Sequence, residues 1–188
     1  DLYSIISDIK TKNADIIFSC STTPATGVAL IKQLAENGLS DVPHMAIYFP
    51  SQPEFVEQIG SQADGLMWAP LLVDVEHDKT SKEFQDKLTE YCGESVTFDY
   101  IDGYSDMLVV LKAMEAAGSV DGDALSEALL SEDGYDTYKG HIQFNPENHT
   151  IYCGEGYVEV KSAQIQDGAS YQIYPLESAL AEYKPTQK

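Results

Sequence analysis

IIFSCSTTPATGVALIKQLAENG, residues 16–38, decides the fold class. Ile16-Ile17-Phe18-Ser19-Cys20 is a short continuous apolar run, typical of a parallel strand covered on both faces. Ser21-Thr22-Thr23 follows as a polar loop, and Pro24 suits the first turn of a helix, where its missing N–H is not needed. Val28, Leu30, Ile31, Leu34 and Ala35 recur at helical spacing, and Gly38 ends that helix.

The unit then repeats. Met45-Ala46-Ile47-Tyr48-Phe49 reads as a strand, Pro50-Ser51-Gln52-Pro53 as a loop, and residues 54–59 as a short helix carrying Phe55, Val56 and Ile59. After Ala63-Asp64-Gly65, residues 66–69 form a third strand closed by Pro70. A βαβαβ run calls for right-handed crossovers and a parallel, Rossmann-like α/β sheet. In such sheets ligands bind beyond the carboxyl ends of the strands. The candidates there are Ser21, Thr22 and Thr23, then Ser51 and Gln52, then Trp68. Asp64 precedes its strand, so topology places it less directly.

Outward from this core, Leu2, Ile5, Ile6 and Ile9 mark a helix without a capped start, as if residue 1 lay at or inside a helix of something longer. Residues 71–79 are acidic and irregular, and residues 81–91 form a helix with Phe84, Leu88 and Tyr91 on one stripe. Residues 98–118, FDYIDGYSDMLVVLKAMEAAG, begin with a cluster of aromatic and acidic residues that reads as a loop. Leu108, Leu111 and Met114 then open a helix that Val109, Val110, Ala113, Ala116 and Ala117 make apolar nearly all round. Within the loop, Asp99 and Tyr100 are candidate ligand contacts, since Tyr joins an apolar face to one hydroxyl. Asp121-Gly122-Asp123 starts another helix, and residues 140–144, 157–161 and 171–174 read as strands before a final helical turn within 176–183.

Composition excludes whole classes of function. The net charge is −20, and the 11 basic residues are all Lys. Such a field repels phosphate backbones, so no nucleic-acid partner is expected. Without Arg there is no bidentate clamp for phosphate or carboxylate. Cys20, Cys92 and Cys153 lack metal-type spacing, and Cys20 and Cys92 are expected to be buried thiols. A Cys92–Cys153 bridge is the alternative if the protein is exported. His141 and His149 are too widely spaced to pair with Cys153 as a zinc site. There is no G-x-S-x-G elbow, no G-x-x-x-x-G-K-[ST] loop and no G-x-G-x-x-G, so neither a cofactor nor catalysis is expected.

The order of motifs resembles the type I periplasmic or extracellular ligand-binding proteins of ABC transporters for branched-chain amino acids (Leu/Ile/Val) and amides. The resemblance rests on Ile9-Lys10 with Asn13-Ala14-Asp15-Ile16-Ile17, and on Asp64-Gly65-Leu66-Met67-Trp68-Ala69-Pro70. It continues through Gly103-Tyr104 with Ala113-Met114-Glu115-Ala116-Ala117-Gly118, then Tyr138-Lys139-Gly140-His141-Ile142-Gln143-Phe144, and finally Tyr171-Gln172-Ile173-Tyr174-Pro175. Ser105-Asp106 departs from the family's usual Asp-Ala, and Lys139-Gly140-His141 lacks one expected Gly.

The resemblance implies a type I periplasmic-binding-protein-like fold, with a ligand held between two lobes joined by three crossovers. Residues 1–72 would be most of the C-terminal part of lobe two, and 73–80 a crossover. Residues 81–188 would return to lobe one and end in the final crossover with a C-terminal strand and tail. Family members are roughly twice as long, so the chain resembles a C-terminal half. The missing N-terminal half, or self-association through an exposed sheet edge, is then the expected macromolecular partner. The ligand would be a small polar molecule such as an amino acid or amide, and an ABC permease would receive it. The protein would be periplasmic or extracellular, including lipid-anchored forms. Asp64 would receive the ligand's ammonium, with Ser21, Thr22, Trp68, Asp99 and Tyr100 as further contacts. A sensory domain of the same fold and a flavodoxin-like α/β enzyme are the alternative readings.

Overall fold

The computed structural model describes residues 2–69, 79–93 and 98–186. In chain order the elements begin with α1 (Tyr3–Lys12), β1 (Ile17–Ser21), α2 (Pro24–Glu36), β2 (His44–Tyr48), α3 (Pro53–Ile59) and β3 (Met67–Trp68). They continue with α4 (Lys79–Cys92), α5 (Phe98–Ala117), α6 (Gly122–Leu129), β4 (Tyr135–Thr137), β5 (Gly140–Ile142), β6 (Ser162–Gln166) and β7 (Ala169–Tyr174). The chain divides into two compact units, Asp1–Leu71 with Lys161–Lys188, and Leu72–Val160. Residues 161–188 therefore pack with the first unit. The expected crossover over 73–80 lies outside the described residues up to position 78, and Lys79 already begins α4.

Unit one holds a five-stranded sheet in the order β1-β2-β3-β6-β7. β1, β2 and β3 are parallel, as the βαβαβ pattern requires. β6 and β7 join antiparallel, so the parallel strands form one part of a mixed sheet. The cause is local. Asp167 (φ 54°) and Gly168 (φ 79°) form a two-residue turn with both centres left-handed, and such turns fit the right-handed twist of an antiparallel hairpin.

One face of this sheet is covered. Ala46, Trp68, Ala163 and Ile165 meet Val28 and Ile31 of α2, Phe55 and Ile59 of α3, and Phe49 between them. Beside this core, Ile6 of α1 packs with Ile17 and Leu34. The pairings Phe18 with Met45, Cys20 with Ile47 and Met45 with Met67 put these five side chains on the other face. There Phe18 is 73% exposed and Cys20 and Ile47 are also exposed. The apolar run of β1 is thus covered on one side only, and Cys20 is not the buried thiol expected. Cys92 and Cys153 are likewise exposed and free, so the bridge does not form.

A glutamine ladder fixes the C-terminal tail to this sheet. The fully buried Gln164 donates from Nε2 to the carbonyls of Gly65 (3.1 Å) and Lys184 (2.8 Å). Its Oε1 accepts from the Lys184 N–H (2.9 Å) and from Gln166 Nε2 (2.8 Å). All four hydrogen-bonding positions of that amide are used, which removes the penalty of burying it.

Unit two is mainly helical. α5 starts at Phe98, so the aromatic and acidic cluster read as a loop is helical, with Gly103 inside the helix. Its buried stripe is Ile101, Ser105, Val109 and Ala113, at a spacing of four. Met107 and Leu111 are exposed, so α5 is not buried all round. Val109 and Ala113 pack with Tyr135 and Ile142, and α6 adds Leu125, Ala128 and Leu129. Asp121 caps α6, its carboxylate accepting from the N–H groups of Asp123 and Ala124. The strand expected over 157–161 is reduced to a bridge between Cys153 and Val158.

The closest approach in the unit-one core is at Gly27 of α2. A Cβ there would lie 2.3 Å from the ring of Phe49, which is fully buried. Alanine favours a helix over glycine by about 1 kcal/mol, but overpacking a filled core costs about 1–3 kcal/mol. Gly27→Ala is therefore expected to lower stability by about 2 kcal/mol in urea unfolding, and Phe49→Leu in that background to recover part of the loss. A Gly27→Ala protein as stable as the parent contradicts this packing.

Candidate functional site

The carboxyl ends of β1 and β2 bring polar groups together in unit one. Ser21 ends β1 and pairs in register with Tyr48, the last residue of β2. Thr23 is the N-cap of α2, its Oγ1 accepting from the Thr26 N–H at 3.4 Å. Ser21 Oγ accepts from the Thr23 N–H at 3.4 Å, which shapes the turn. Thr22 stands between them, exposed, and its hydroxyl has no hydrogen-bond partner among the described residues. Of the three loop residues, Thr23 caps, Ser21 braces, and the Thr22 hydroxyl alone is unengaged among the described residues.

Tyr48 was not singled out by the sequence, which makes it an ordinary strand residue. The structure gives it φ 74° and ψ −68°, the strained arrangement of a tight three-residue turn. A non-glycine residue held there costs about 1–3 kcal/mol and persists only where its surroundings impose it. Ser51 Oγ donates to the Tyr48 carbonyl at 2.6 Å, and Gln52 Nε2 donates to Ser51 Oγ at 3.3 Å. Ser51 and Gln52 are thus occupied in holding the turn. The Tyr48 side chain stays 38% exposed beside Ser21. Only Pro50 hinted at a turn here, and nothing in the residue types marks a positive φ at Tyr48.

Trp68 is elsewhere engaged. Its indole is 8% exposed, packs in the core, and donates from Nε1 to Ser170 Oγ at 2.6 Å. Core packing and one hydrogen bond account for this residue without a ligand.

Asp64 lies at the opposite end of the sheet. It precedes β3, and Met67 is level with Met45 near the start of β2, whereas Thr22 follows the last residue of β1. At about 3.3 Å per residue the separation along the strands is roughly 15 Å or more. Asp64 Oδ1 accepts from the Gly168 N–H at 3.0 Å, tying the β6–β7 turn to the loop before β3. Asp64 and Thr22 therefore do not share one site.

The same amino-end region holds His44, which is 6% exposed. Its Nε2 is 2.7 Å from Ser19 Oγ, and Nδ1 has no hydrogen-bond partner among the described residues. Burial, which penalises the charged ring, lowers its pKa from 6.5 to about 4. The folded state thus holds the neutral imidazole. The stability this residue contributes is complete above pH 6.5 and is lost as pH falls from 6.5 towards 4, by about 3 kcal/mol in total. In urea titrations the parent protein should lose this increment over that window relative to His44→Gln. Parallel pH profiles for the two proteins contradict a neutral, buried His44.

In unit two, Tyr100 sits in the first turns of α5 and is 42% exposed. Asp99 precedes it in the helix, and its side chain lies outside the described residues. Two turns of α5 meet the β4–β5 turn, where Lys139 Nζ is 3.2 Å from Asp102 and 3.5 Å from Asp106. Tyr138 stacks on Phe84 at 3.9 Å between ring centres, and Tyr104 packs edge-on against both. These contacts organise unit two around α5.

Three parallel strands with their crossovers, a polar loop beyond their carboxyl ends, and an antiparallel return define a type I periplasmic-binding-protein-like α/β fold. A family model described as periplasmic binding protein matches residues 1–165, and the chain belongs to that family. No curated protein matches the chain in sequence. Among solved structures it is similar to a putative branched-chain amino acid ABC transporter from Silicibacter pomeroyi, with 18% identity and TM-score 0.78 over 99% of this chain and 50% of that one. A branched-chain amino acid ABC transporter from Thermus thermophilus with bound valine aligns with 14% identity and TM-score 0.66, over 92% and 48%. A solute-binding protein of an ABC transporter from Rhodopseudomonas palustris BisB5, in complex with 3,4-dihydroxy benzoic acid, aligns with 21% identity and TM-score 0.64, over 100% and 50%. The chain spans about half the length of these structures. The family is described as periplasmic binding protein, and the Rhodopseudomonas palustris relative as a solute-binding protein of an ABC transporter.

Proposed function

We propose that the chain is part of the solute receptor of an ABC importer, and that it captures a small polar ligand, an amino acid before other classes. Its role is binding without catalysis, and the ligand is delivered to a membrane permease. The observation that carries the reading is the rim formed by the free hydroxyl of Thr22 and the strained, exposed Tyr48 at the carboxyl ends of β1 and β2. This is where open α/β sheets take their ligands. Valine in one structural relative supports an amino acid, and 3,4-dihydroxy benzoic acid in another makes aromatic acids the competing class. Asp99 and Tyr100, at the start of α5, stay proposed ligand contacts on the family resemblance alone. Asp64 is replaced as a ligand contact by Tyr48, because its end of the sheet is the wrong one.

A thermal-shift screen of the complete receptor with aliphatic amino acids, amides and aromatic acids tests this, because a ligand that binds only the folded state raises the melting temperature. An aliphatic amino acid is expected to give the largest rise. Tyr48→Gly should keep stability within about 1 kcal/mol, since glycine relieves the strain, while weakening binding more than about tenfold. Asp64→Ala should change affinity by less than about twofold. Loss of binding on Asp64→Ala with none on Tyr48→Gly reverses the assignment, and a screen without any binder removes the function.

The exposed side of the sheet carries a second expectation. We propose that the complementary half of the receptor covers Phe18, Cys20 and Ile47, because a sheet in such a fold has helices on both faces. With Cys92→Ser and Cys153→Ser in place, Cys20 in the isolated chain should react readily with a thiol reagent. Adding the complementary half should slow the reaction by about tenfold or more. An unchanged rate leaves that face open and sinks the proposal.

A further inference from the structure

At the amino ends of the strands, on the side away from Thr22 and Tyr48, unit one contains a pocket of about 440 Å³. That volume is in the range of small-molecule sites. Ile31 and Leu34 of α2 and Leu66 before β3 give it apolar walls, with His44 among them. Asp41 and Asp64 supply its carboxylates. Asp41 has no hydrogen-bond or ion-pair partner among the described residues, and Asp64 uses Oδ1 for the Gly168 N–H, leaving Oδ2 free. The lining ammonium, Lys184 Nζ, is engaged by Asp167 at 3.3 Å. Two buried polar atoms of the lining residues, His44 Nδ1 and Thr186 Oγ1, have no hydrogen-bond partner among the described residues. A buried polar atom left without a partner costs about 1–3 kcal/mol, which a bound polar group can offset.

We infer that this pocket binds a small primary amine with a short apolar body. The body lies on Ile31, Leu34 and Leu66, and the ammonium is held by Asp41 and Asp64. When His44 Nε2–H donates to Ser19, Nδ1 keeps a lone pair and is a further acceptor for the same group. An anion meets two carboxylates in a protein of net charge −20, and is repelled. A metal ion fits less well, since among the described residues no three His, Cys, Asp or Glu side chains are grouped to hold one. The site is independent of the proposed rim, because its lining lies at the other end of the strands.

The test uses the full chain and three probes of one shape: 2-phenylethylamine, the neutral 2-phenylethanol and the anion phenylacetate. Binding is read from the His44 ring protons and the Leu34 and Leu66 methyl groups by NMR at low salt. The amine is expected to give saturable shifts at these groups, with affinity at least about tenfold above the alcohol, and phenylacetate none. Asp41→Asn with Asp64→Asn should bring the amine down to the level of the alcohol. Asn at position 64 can still accept from Gly168, so the fold is retained. Tyr48→Gly should leave amine binding unchanged. Equal affinity for amine and alcohol, insensitivity to the two carboxylate substitutions, or no saturable shift at His44 overturns the inference.

Discussion

The buried amide of Gln164 is the joint on which unit one depends. β3 is only two residues long, too short to hold a sheet edge alone, and β6 pairs with it from the far end of the chain. Gln164 sits at that pairing and reaches the carbonyl of Gly65 on one side and both backbone groups of Lys184 on the other. Only an amide supplies two donors and two acceptor positions at once. A leucine of similar size would leave the Gly65 carbonyl and the Lys184 backbone groups without these partners, at about 1–3 kcal/mol for each group left buried. The parallel half of the sheet is thereby joined to a hairpin that the first seventy or so residues do not contain.

The parallel half was legible because its signals are local. Apolar runs separated by a Pro-started, Gly-ended helix specify β1, α2 and β2 within one window, and a parallel pair needs such a crossover. The antiparallel return had an equally local sign, Asp167-Gly168 between alternating residues, but the reading took only the second strand of that hairpin. α5 was misjudged at both levels. Asp and aromatic residues at its start suggested a loop, yet Lys139 pairs with Asp102 and Asp106 one turn apart, and the Phe84–Tyr138–Tyr104 trio packs on the same helix. Those partners lie far along the chain, so no window around residue 100 contains them.

The candidate site divides the same way. Ser21, Thr22 and Thr23 stand at the carboxyl end of β1, which strand direction alone fixes. Which of the three is free was not readable, since that depends on the Thr23 cap and the Ser21 brace. Asp64 was assigned through family resemblance, while its position before β3 already pointed to the other end of the sheet. Tyr48 carries no compositional signal, because its strain is set by how Ser51 and Gln52 close the turn. The result is a sheet with chemistry at both ends: strained backbone and hydroxyls at one, carboxylates and a neutral imidazole at the other.

The discontinuity of unit one has a consequence for the order of folding. Leu72–Val160 is one uninterrupted stretch, so α5 with α6 and the β4–β5 hairpin can assemble from nearby partners as soon as they are synthesised. β1, β2 and β3 must wait for residues 161–188 before their sheet is complete, and closing a loop over the whole inserted unit carries an entropic cost that short-range contacts do not. During that wait the Phe18 face and the unpaired edge of β3 are both open to other chains. Unit one is thus completed only by the arrival of β6, long after β1 to β3 in the sequence.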